Sequence, residues 1–556
     1  MLNMSVGRQD FKKMVDQKNS PYVDKTHLIE DVLSEDVVLY TRPRRFGKTL
    51  NMSMLYYFFS NREKDNAYLF NNLRVCSNKE VMKHLNQYPI INLTFGGLEN
   101  LTFVEQTKGI GMIIGDFIEN HSELRTSEHL SDYQKERLYR LETNTYDDNE
   151  LKEALFFLSK CLYLHDHKKV IILIDEYDVP LNFAKGKYYD QFQSFYSIFL
   201  SKGLKYNDYL ERGVLSGCLS FSKNSSFTGL NNVKVRSIMD SHASDCFGFT
   251  QDEVDELLRK ADLLDKREII RDWYDGYRIG NSEIYNPWSV CEYIDVLQRN
   301  SDEEPGNYWL NTGSNREIYE YIINDDEELK NEFRRLIEGE TLTKRIGPYL
   351  THRDLIHNNS TNIYSFLLFT GYLKIISPAY DDHGKRIRNT YHLCIPNKEV
   401  REIYEEYFSN WFNETYHNYN QMFIDALLNK DAIKANNILD ASLFETLSYY
   451  DYNESFYHGY MANLLKTDGY MVESNIESGL GRYDLFIHKN DYESASLLIE
   501  CKYSNSRENL YEDSLKGINQ IIEKKYIEGL MSKGYSHTIA YCISFYKKEC
   551  HIELLK

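Results

Sequence analysis

The chain has 556 residues, which is too long for one hydrophobic core and predicts about three or four domains. Its formal charge of −19 argues against a protein that binds nucleic acid over its whole surface, but it is compatible with a local basic groove. The sequence begins without a signal-peptide pattern and has no apolar run near the roughly 18 residues of a membrane span. The nine cysteines form no C-x-x-C pair, so we expect a cytoplasmic protein with reduced cysteines and no zinc site.

The first chemical signal lies between a strand-like run and a helix-like run. VVLYT (residues 37–41) favours a strand, and TLNMSMLYYFF has the apolar spacing of a helix. The GKT tripeptide between them matches the end of a phosphate-binding loop, in which Lys48 reaches the β- and γ-phosphates and Thr49 holds Mg²⁺. Arg42 stands where the first glycine of G-x-x-x-x-G-K-[ST] is expected, so the fragment alone also fits a basic helix N-terminus.

A second signal strengthens this interpretation. Residues 170–174 form the apolar run VIILI, typical of a buried parallel strand, and Asp175 and Glu176 follow it directly. In this Walker B pattern the aspartate holds the Mg²⁺ shell and the glutamate polarises a water for attack on the γ-phosphate. A strand that ends in solvated acids is the alternative. Because the two signals together are rare by chance, they predict ATP or GTP binding.

Two more strand-like runs, YPIINLTF and ERGVLSGCLS, fit the same sheet. The second follows the Walker B strand, where related ATPases place a polar sensor. Ser222, Lys223 and Asn232 are therefore candidate γ-phosphate sensors, although an ordinary polar loop is the favoured interpretation of this segment.

Residues 249–443 have a mostly helical pattern. Thr250 and Glu253 form a predicted capping box, and WYDGYRIG and IYNPWSV flank a predicted hairpin or turn. FLLFTGYLKIIS and TYHLCIPNKEV predict a helix, strands and another helix, which is compatible with a small winged-helix-like unit. Its aromatic residues are expected in the core, and its role as a lid or as a coupling module stays open.

The C-terminal part contains a second chemical pattern. RYDLFI and SLLIECKY are short strand-like runs, and a hairpin centred on Tyr492 would place Asp484 opposite Glu500. Glu500 and Lys502 share one face of their strand. Two carboxylates and a lysine would then meet at one point, as a metal-dependent phosphodiesterase requires. A solvated hairpin with unrelated acids is the alternative.

Seven motifs occur in order along the chain: PYVDKTHLIEDVL, TRPRRFGKTL, LIDEYDVPL, FTGLNN, WYDGYRIG, IYNPWSV and YWLNTGSN. This pattern resembles the predicted AAA-ATPase-like family found in many bacterial proteins beside a C-terminal PD-(D/E)XK nuclease-like domain. In that family R-P-R-R-F-G-K-[ST] is the usual phosphate loop, so Arg42 matches the family pattern. The resemblance leaves open whether Arg42 contacts phosphate or the loop opens more widely, and it implies that Asp24 and Lys25 lie near the nucleotide.

The resemblance extends to the C-terminal trio. Asp484, Glu500 and Lys502 resemble the D-x(n)-E-x-K pattern of the PD-(D/E)XK nucleases, with a long spacer. Glu454, with His458 one helical turn later, resembles the acid of the first motif, and Gln520 resembles a residue on the helix that completes such sites.

The expected fold is therefore α/β, with a P-loop domain built on a parallel sheet, a mostly helical middle region, and a restriction-endonuclease-like C-terminal domain. The expected boundaries are residues 1–248, 249–443 and 444–556. The expected function is an ATPase coupled to metal-dependent cleavage of nucleic acid, DNA in preference to RNA. A nucleotide-dependent switch whose C-terminal domain only binds a partner is the first alternative, and a small-molecule kinase with an acceptor pocket beside Asp178 is the second.

The expected ligands are ATP, Mg²⁺ and, at the nuclease-like site, Mn²⁺ as a further option. Neither a membrane nor an arginine finger is indicated, and a homo-oligomer is left open. The predicted catalytic residues are Glu176, Asp484, Glu500, Lys502, Glu454 and Gln520. The predicted nucleotide-binding residues are Arg42, Pro43, Arg44, Arg45, Phe46, Gly47, Lys48, Thr49 and Asp175. The predicted metal ligands are Thr49, Asp175, Asp484 and Glu500.

Overall fold

The computed structural model describes the chain except residues 1, 5, 222–229, 310–326, 357–358, 447–456, 458–459, 463, 466–468, 479–480, 548 and 556. The chain divides into two compact units, residues 1–405 and 406–556. No helix among the described residues is both long enough and apolar enough to cross a membrane. All nine cysteines are free thiols.

A five-stranded parallel sheet forms the centre of the N-terminal region, with strand order β2-β3-β4-β1-β5. Strands β1 and β3 are buried at every position, because helices cover both faces of a parallel sheet and exclude water from both. The predicted strands of this region are confirmed. Their bounds are β1 Val37–Thr41, β2 Ile90–Thr94, β3 Val170–Asp175, β4 Leu210–Gly217 and β5 Lys234–Arg236.

Eleven helices of this region are described, and the apolar residues of the last seven, α5 to α11, pack on the sheet in one continuous core. The helices are α1 Phe11–Asp16, α2 Leu28–Ser34, α3 Lys48–Phe59, α4 Lys79–Met82, α5 Phe103–Glu119, α6 Glu123–Thr126, α7 Asp132–Glu142, α8 Asp148–Lys152, α9 Ala154–Asp166, α10 Val179–Ala184 and α11 Tyr189–Leu204. Within the described residues, short 3₁₀ helices span Lys64–Phe70, Arg74–Ser77, Leu264–Lys266, Asp354–Ile356 and Arg507–Asn509.

The middle region is mostly helical, as expected. The Thr250–Glu253 capping box is present at the start of α12, and a two-stranded hairpin occupies the predicted turn. A helix, two strands and a further helix follow in the predicted order, and β8, β10 and β9 form an antiparallel sheet. The elements are α12 Gln251–Ala261, α13 Arg267–Tyr274, β6 Tyr277–Ile279, β7 Ser282–Ile284, α14 Pro287–Arg299, α15 Glu327–Ile337, β8 Leu342–Arg345, α16 Ser360–Phe369, β9 Lys374–Tyr380, β10 Arg386–Cys394 and α17 Lys398–Leu428.

The second unit contains a mixed five-stranded sheet in the order β11-β12-β13-β14-β15, in which β13 and β14 run parallel and the other pairs are antiparallel. One apolar cluster covers each face of this sheet. The elements are α18 Ala432–Thr446, β11 Met471–Ser478, β12 Gly481–His488, β13 Ser496–Tyr503, α19 Leu510–Glu523, α20 Tyr526–Ser532, β14 Thr538–Tyr546 and β15 Glu549–Leu554.

Candidate functional site

The predicted phosphate loop connects β1 to α3, as the sequence requires. Gly47 caps the helix in the left-handed region with φ of 80°, a conformation that glycine adopts without a steric penalty. Lys48 is the first residue of α3 and is only 8% exposed. Its Nζ donates to the carbonyl oxygens of Pro43 at 2.8 Å and of Arg42 at 3.1 Å. The ammonium therefore stays at the loop, held by backbone carbonyls.

Arg42 has a structural role that the sequence did not indicate. Its side chain is completely buried, and its guanidinium donates to the carbonyls of Thr41 at 2.8 Å, Arg236 at 2.7 Å and Ala243 at 2.9 Å. It also lies 5.0 Å from the ring centre of Phe247. The Arg42 guanidinium is directed to these carbonyls and joins β1 to β5. The assignment of Arg42 as a nucleotide-binding residue stays a prediction.

The other loop residues have distinct surroundings. Arg44 is exposed, and the Arg45 guanidinium lies 4.1 Å from the ring centre of Trp288, a favourable cation–π contact. Phe46 is buried edge-on against Tyr277. Arg44 to Thr49 line the cavity described below, whereas Arg42 and Pro43 lie outside its wall. The loop thus presents two arginines and a lysine to the cavity.

The Walker B acids lie at the carboxyl end of β3. Asp175 is buried and accepts hydrogen bonds from the Ser216 hydroxyl and, at 3.0 Å, from the Glu176 backbone N–H. Among the described residues, no salt bridge neutralises Asp175. Glu176 has φ of 51°, and a Cβ on Gly96 would collide with its carboxylate. Burial, followed by the charge of Asp175, raises the pKa of Glu176, as a general base requires.

A cavity of about 680 Å³ opens beside this loop within the first unit, a volume typical of small-molecule sites. One part of its wall is cationic and acidic, and another part is apolar and aromatic. The polar part includes Arg44, Arg45, Lys48, Thr49, Glu176 and Asp178. The apolar part includes Met4, Val6, Tyr22, Phe249, Pro287 and Trp288.

The family resemblance implied that Asp24 and Lys25 lie near the nucleotide, and the two residues differ in their relation to the cavity. Lys25 lines the cavity, but its Nζ is bound by Glu253 at 2.7 Å and by the Asp245 carbonyl at 2.7 Å. Asp24 is not in the wall, and it accepts hydrogen bonds from Thr26 and from the backbone of Arg74. Lys25 and Asp24 thus brace the N-terminal segment.

Of the three candidate γ-phosphate sensors, Asn232 lies within the described residues. Asn232 donates its amide to the carbonyl of Leu204 at 3.0 Å and lies outside the cavity wall. Ser222 and Lys223 fall outside the described residues. The sequence analysis missed Ser216, which lies on β4 and whose hydroxyl donates to Asp175. Its position near the carboxyl end of the strand that follows the Walker B strand is the sequence signal that could have identified it.

In the second unit, the predicted hairpin register is confirmed. Leu485 pairs with Ile499 across β12 and β13, and continuing the register by one residue places Asp484 opposite Glu500. Asp484 Oδ2 accepts a hydrogen bond from the backbone N–H of Cys501 at 2.8 Å. The hairpin symmetry around the predicted centre therefore brings the two acids to one place on the sheet.

Two polar side chains donate to Glu500, which is only 2% exposed. Lys502 Nζ donates to its Oε1 at 2.9 Å, and Gln520 Nε2 donates to the same oxygen. The other oxygen, Oε2, is buried and has no hydrogen-bond partner among the described residues. Burial, followed by the charge of Asp484, raises the pKa of Glu500 to about 7. Burial lowers the pKa of Lys502, but its hydrogen bond to Glu500 and the nearby charge outweigh burial and raise it.

Gln520 is itself held in place. Its Nε2 lies 3.4 Å from the hydroxyl of Tyr526, which donates to the Arg482 carbonyl at 2.7 Å. Sequence reasoning missed Tyr526, since no motif distinguishes it from other aromatic core residues. The predicted acid Glu454, like His458, lies outside the described residues.

The donor set fits a divalent cation. An ionised carboxylate with a buried, unpartnered oxygen is costly, and a second carboxylate beside it increases that cost. Mg²⁺ and Mn²⁺ prefer such hard oxygen ligands. Asp484 and Glu500 could therefore hold a metal, as could Thr49 and Asp175 in the nucleotide cavity. A separate group in the described part of the chain, formed by His27, Asp245 and Cys246, also places three potential ligand atoms within 4.8 Å.

The strand order, the loop and the Walker B acids define a P-loop domain of the AAA type, and the C-terminal sheet with its cluster defines a nuclease-like α/β domain. Comparison with known families agrees. Residues 5–227 match the family described as "Predicted AAA-ATPase", and residues 452–554 match the PD-(D/E)XK nuclease superfamily. The chain therefore combines an AAA-ATPase-like domain with a C-terminal PD-(D/E)XK nuclease-like domain.

Two further similarities were found. A protein of Azotobacter chroococcum mcd 1, named "Uncharacterized protein in vnfD 5'region", is 27% identical over 333 residues, 56% of this chain. The match spans about half of that relative, 54% of its length. The ORC2 protein of Aeropyrum pernix, solved as ADPNP–ADP complexes, aligns with 73% of this chain and 99% of its own at 10% identity and a TM-score of 0.33.

Proposed function

We propose that this protein binds and hydrolyses ATP and that its C-terminal domain cleaves DNA phosphodiesters with a divalent metal. The observation that carries the nuclease proposal is the buried Glu500 carboxylate. Lys502 and Gln520 hold one of its oxygens, and the other has no hydrogen-bond partner in the part of the chain that the structure describes. A purely structural carboxylate would have both oxygens satisfied, because an unmet buried acceptor costs roughly 1–3 kcal/mol.

At the nucleotide site, the chain provides each group that phosphoryl transfer needs. Lys48 supplies a cation to the β- and γ-phosphates, and the N–H groups at the start of α3 supply further donors. Thr49 and Asp175 hold Mg²⁺. Glu176, with its raised pKa, accepts a proton from the attacking water. The apolar and aromatic part of the cavity accommodates the base.

At the nuclease-like site, Asp484 and Glu500 hold Mg²⁺ or Mn²⁺. A divalent ion held by these two carboxylates would lower the pKa of water and offset charge on the scissile phosphate. Lys502 opposes the rise in the pKa of Glu500 and places a cation where negative charge develops. Gln520 fixes the orientation of the Glu500 carboxylate from α19. The kinase alternative would need an acceptor site beside Asp178, which lines the cavity, and phosphate transfer to a metabolite instead of release to water would distinguish it.

The test incubates the purified full-length protein with supercoiled, linear and single-stranded DNA and with RNA, with and without ATP and Mn²⁺. We expect metal-dependent nicking of DNA that disappears in Lys502→Ala and persists in Lys516→Ala, an exposed lysine on α19. Tight ATP binding without cleavage of any substrate would refute the nuclease proposal and favour the switch. Unchanged ATP affinity in Lys48→Ala would refute the assignment of the phosphate loop.

A further inference from the structure

The wall of the nucleotide cavity contains a buried histidine from outside the P-loop domain. His352 lies between β8 and α16 of the middle region and lines the cavity. It is only 5% exposed, and within the described part of the chain neither ring nitrogen has a hydrogen-bond partner. Leaving a buried polar group unsatisfied is costly. Such a side chain on a cavity wall indicates a group that is completed by a ligand.

The nearest charged neighbour of His352 is Asp178. The His352 Nε2 lies 3.8 Å from Asp178 Oδ2, which is too long for a hydrogen bond. The same oxygen accepts the backbone N–H groups of Cys218 and Leu219, each at 2.8 Å. Burial raises the pKa of Asp178, but His352 and these N–H groups outweigh burial and lower it. His352 therefore faces an anion that is held in place by two backbone N–H groups.

A chain of contacts connects this pair to the phosphate loop. Cys218 follows β4 directly, and its Sγ lies 3.6 Å from Lys48 Nζ. Asp178 is two residues after the proposed base Glu176, and both line the cavity with His352. These neighbours place His352 on the side of the cavity where the last phosphate of a nucleotide is expected.

The position of His352 is fixed by its own region. Thr351 donates to Asp354 Oδ2 from its backbone N–H at 2.9 Å and from its hydroxyl at 2.7 Å. Asn362 on α16 donates to the Asp354 carbonyl at 2.7 Å. These hydrogen bonds hold the turn next to His352 against α16. A displacement of His352 would therefore also move this part of the middle region.

We propose that His352 donates a hydrogen bond to the terminal phosphate of a bound nucleoside triphosphate and is the residue through which the middle region distinguishes triphosphate from diphosphate. This inference depends on the proposed nucleotide site. With a triphosphate bound, the imidazole lies between the phosphate and Asp178. After hydrolysis and phosphate release, His352 retains only Asp178 as its charged neighbour. His352 is thus a positioning and discrimination residue, and proton transfer is left to Glu176.

The experiment measures the affinity of the full-length protein for ADP and for a non-hydrolysable β,γ-imido analogue of ATP by calorimetry with Mg²⁺. The variants are His352→Ala and His352→Gln, which keeps a donor in a neutral side chain. His242→Ala is the matched control, since that histidine has 65% of its side chain exposed. Lys48→Ala tests the phosphate loop in the same assay.

We expect His352→Ala to weaken binding of the triphosphate analogue by roughly 10- to 100-fold, the usual effect of losing a hydrogen bond to a charged group. ADP affinity should change by less than about twofold, and His352→Gln should recover part of the loss. An equal loss for both nucleotides, or no loss for either, overturns the proposal while leaving the nucleotide site intact. If the wild-type protein binds neither nucleotide, the proposed function fails as well. If His352→Ala does not fold, the ratio of triphosphate-analogue affinity to ADP affinity in His352→Gln, compared with wild type, decides the test.

Discussion

The burial of the Glu500 carboxylate leads to an unusual prediction. Removing this proposed catalytic charge should stabilise the C-terminal domain. Its pKa is raised from 4.5 to about 7 by burial and by Asp484. Below the lower value the carboxyl is neutral in both the folded and the unfolded state, and the pH-dependent cost is absent. Above about 7 the folded state bears an ionised buried group. At 1.36 kcal/mol per pKa unit, the cost approaches about 3 kcal/mol at pH 8.

Glu500→Gln mimics the neutral form at every pH. With a metal chelator present, we compare the local stability of β12 and β13 in the variant and in wild type. We expect the difference in favour of the variant to grow by about 2 to 3 kcal/mol between pH 5 and pH 8. Amide hydrogen exchange of peptides covering residues 481–503 measures this stability, and comparison at equal pH cancels the intrinsic exchange rates. Glu493→Gln, an exposed position in the same hairpin, is the control.

A constant difference between Glu500→Gln and wild type across this pH range would refute the reasoning, because a group with an ordinary pKa contributes no such slope. A difference that decreases as pH rises would have the wrong sign. Addition of Mn²⁺ at pH 8 should protect the wild-type strands and leave those of the variant nearly unchanged, since the variant lacks the charged ligand.

Three further predictions concern other residues. Glu176→Gln should retain ATP binding but slow hydrolysis by at least about 100-fold, and wild-type turnover in a phosphate-release assay would exclude Glu176 as the base. Arg42→Lys should lower the free energy of unfolding by about 2–4 kcal/mol, because a lysine cannot satisfy three buried carbonyls in the same geometry. Urea denaturation with Arg44→Lys as an exposed control would show this, and equal stability of the two variants would contradict the bracing role. Asp484→Ala should weaken Mn²⁺ binding to the full-length protein about tenfold or more, relative to Glu493→Ala, and a calorimetric titration identical to wild type would contradict the proposed metal ligand.

The sequence predicted local structure best where one physical pattern dominated. The run from Val37 to Thr41 forms β1, and the five apolar residues before Asp175 lie in β3, since only a strand covered on both faces is apolar at every position. The pairing of Asp484 with Glu500 followed from the period-two geometry of a hairpin. The domain boundaries and the catalytic roles stay predictions.

What the sequence determined by itself was therefore the set of elements and the chemistry of the residues at their ends, because both depend on neighbours along the chain. The tertiary structure decided where long side chains go. The guanidinium of Arg42 binds the carbonyl of Arg236, a partner nearly two hundred residues away. His352 reaches Asp178 from a different region of the same unit. Such partners have no fixed spacing in sequence, because they are chosen by packing and by the requirement that buried polar groups find a counterpart.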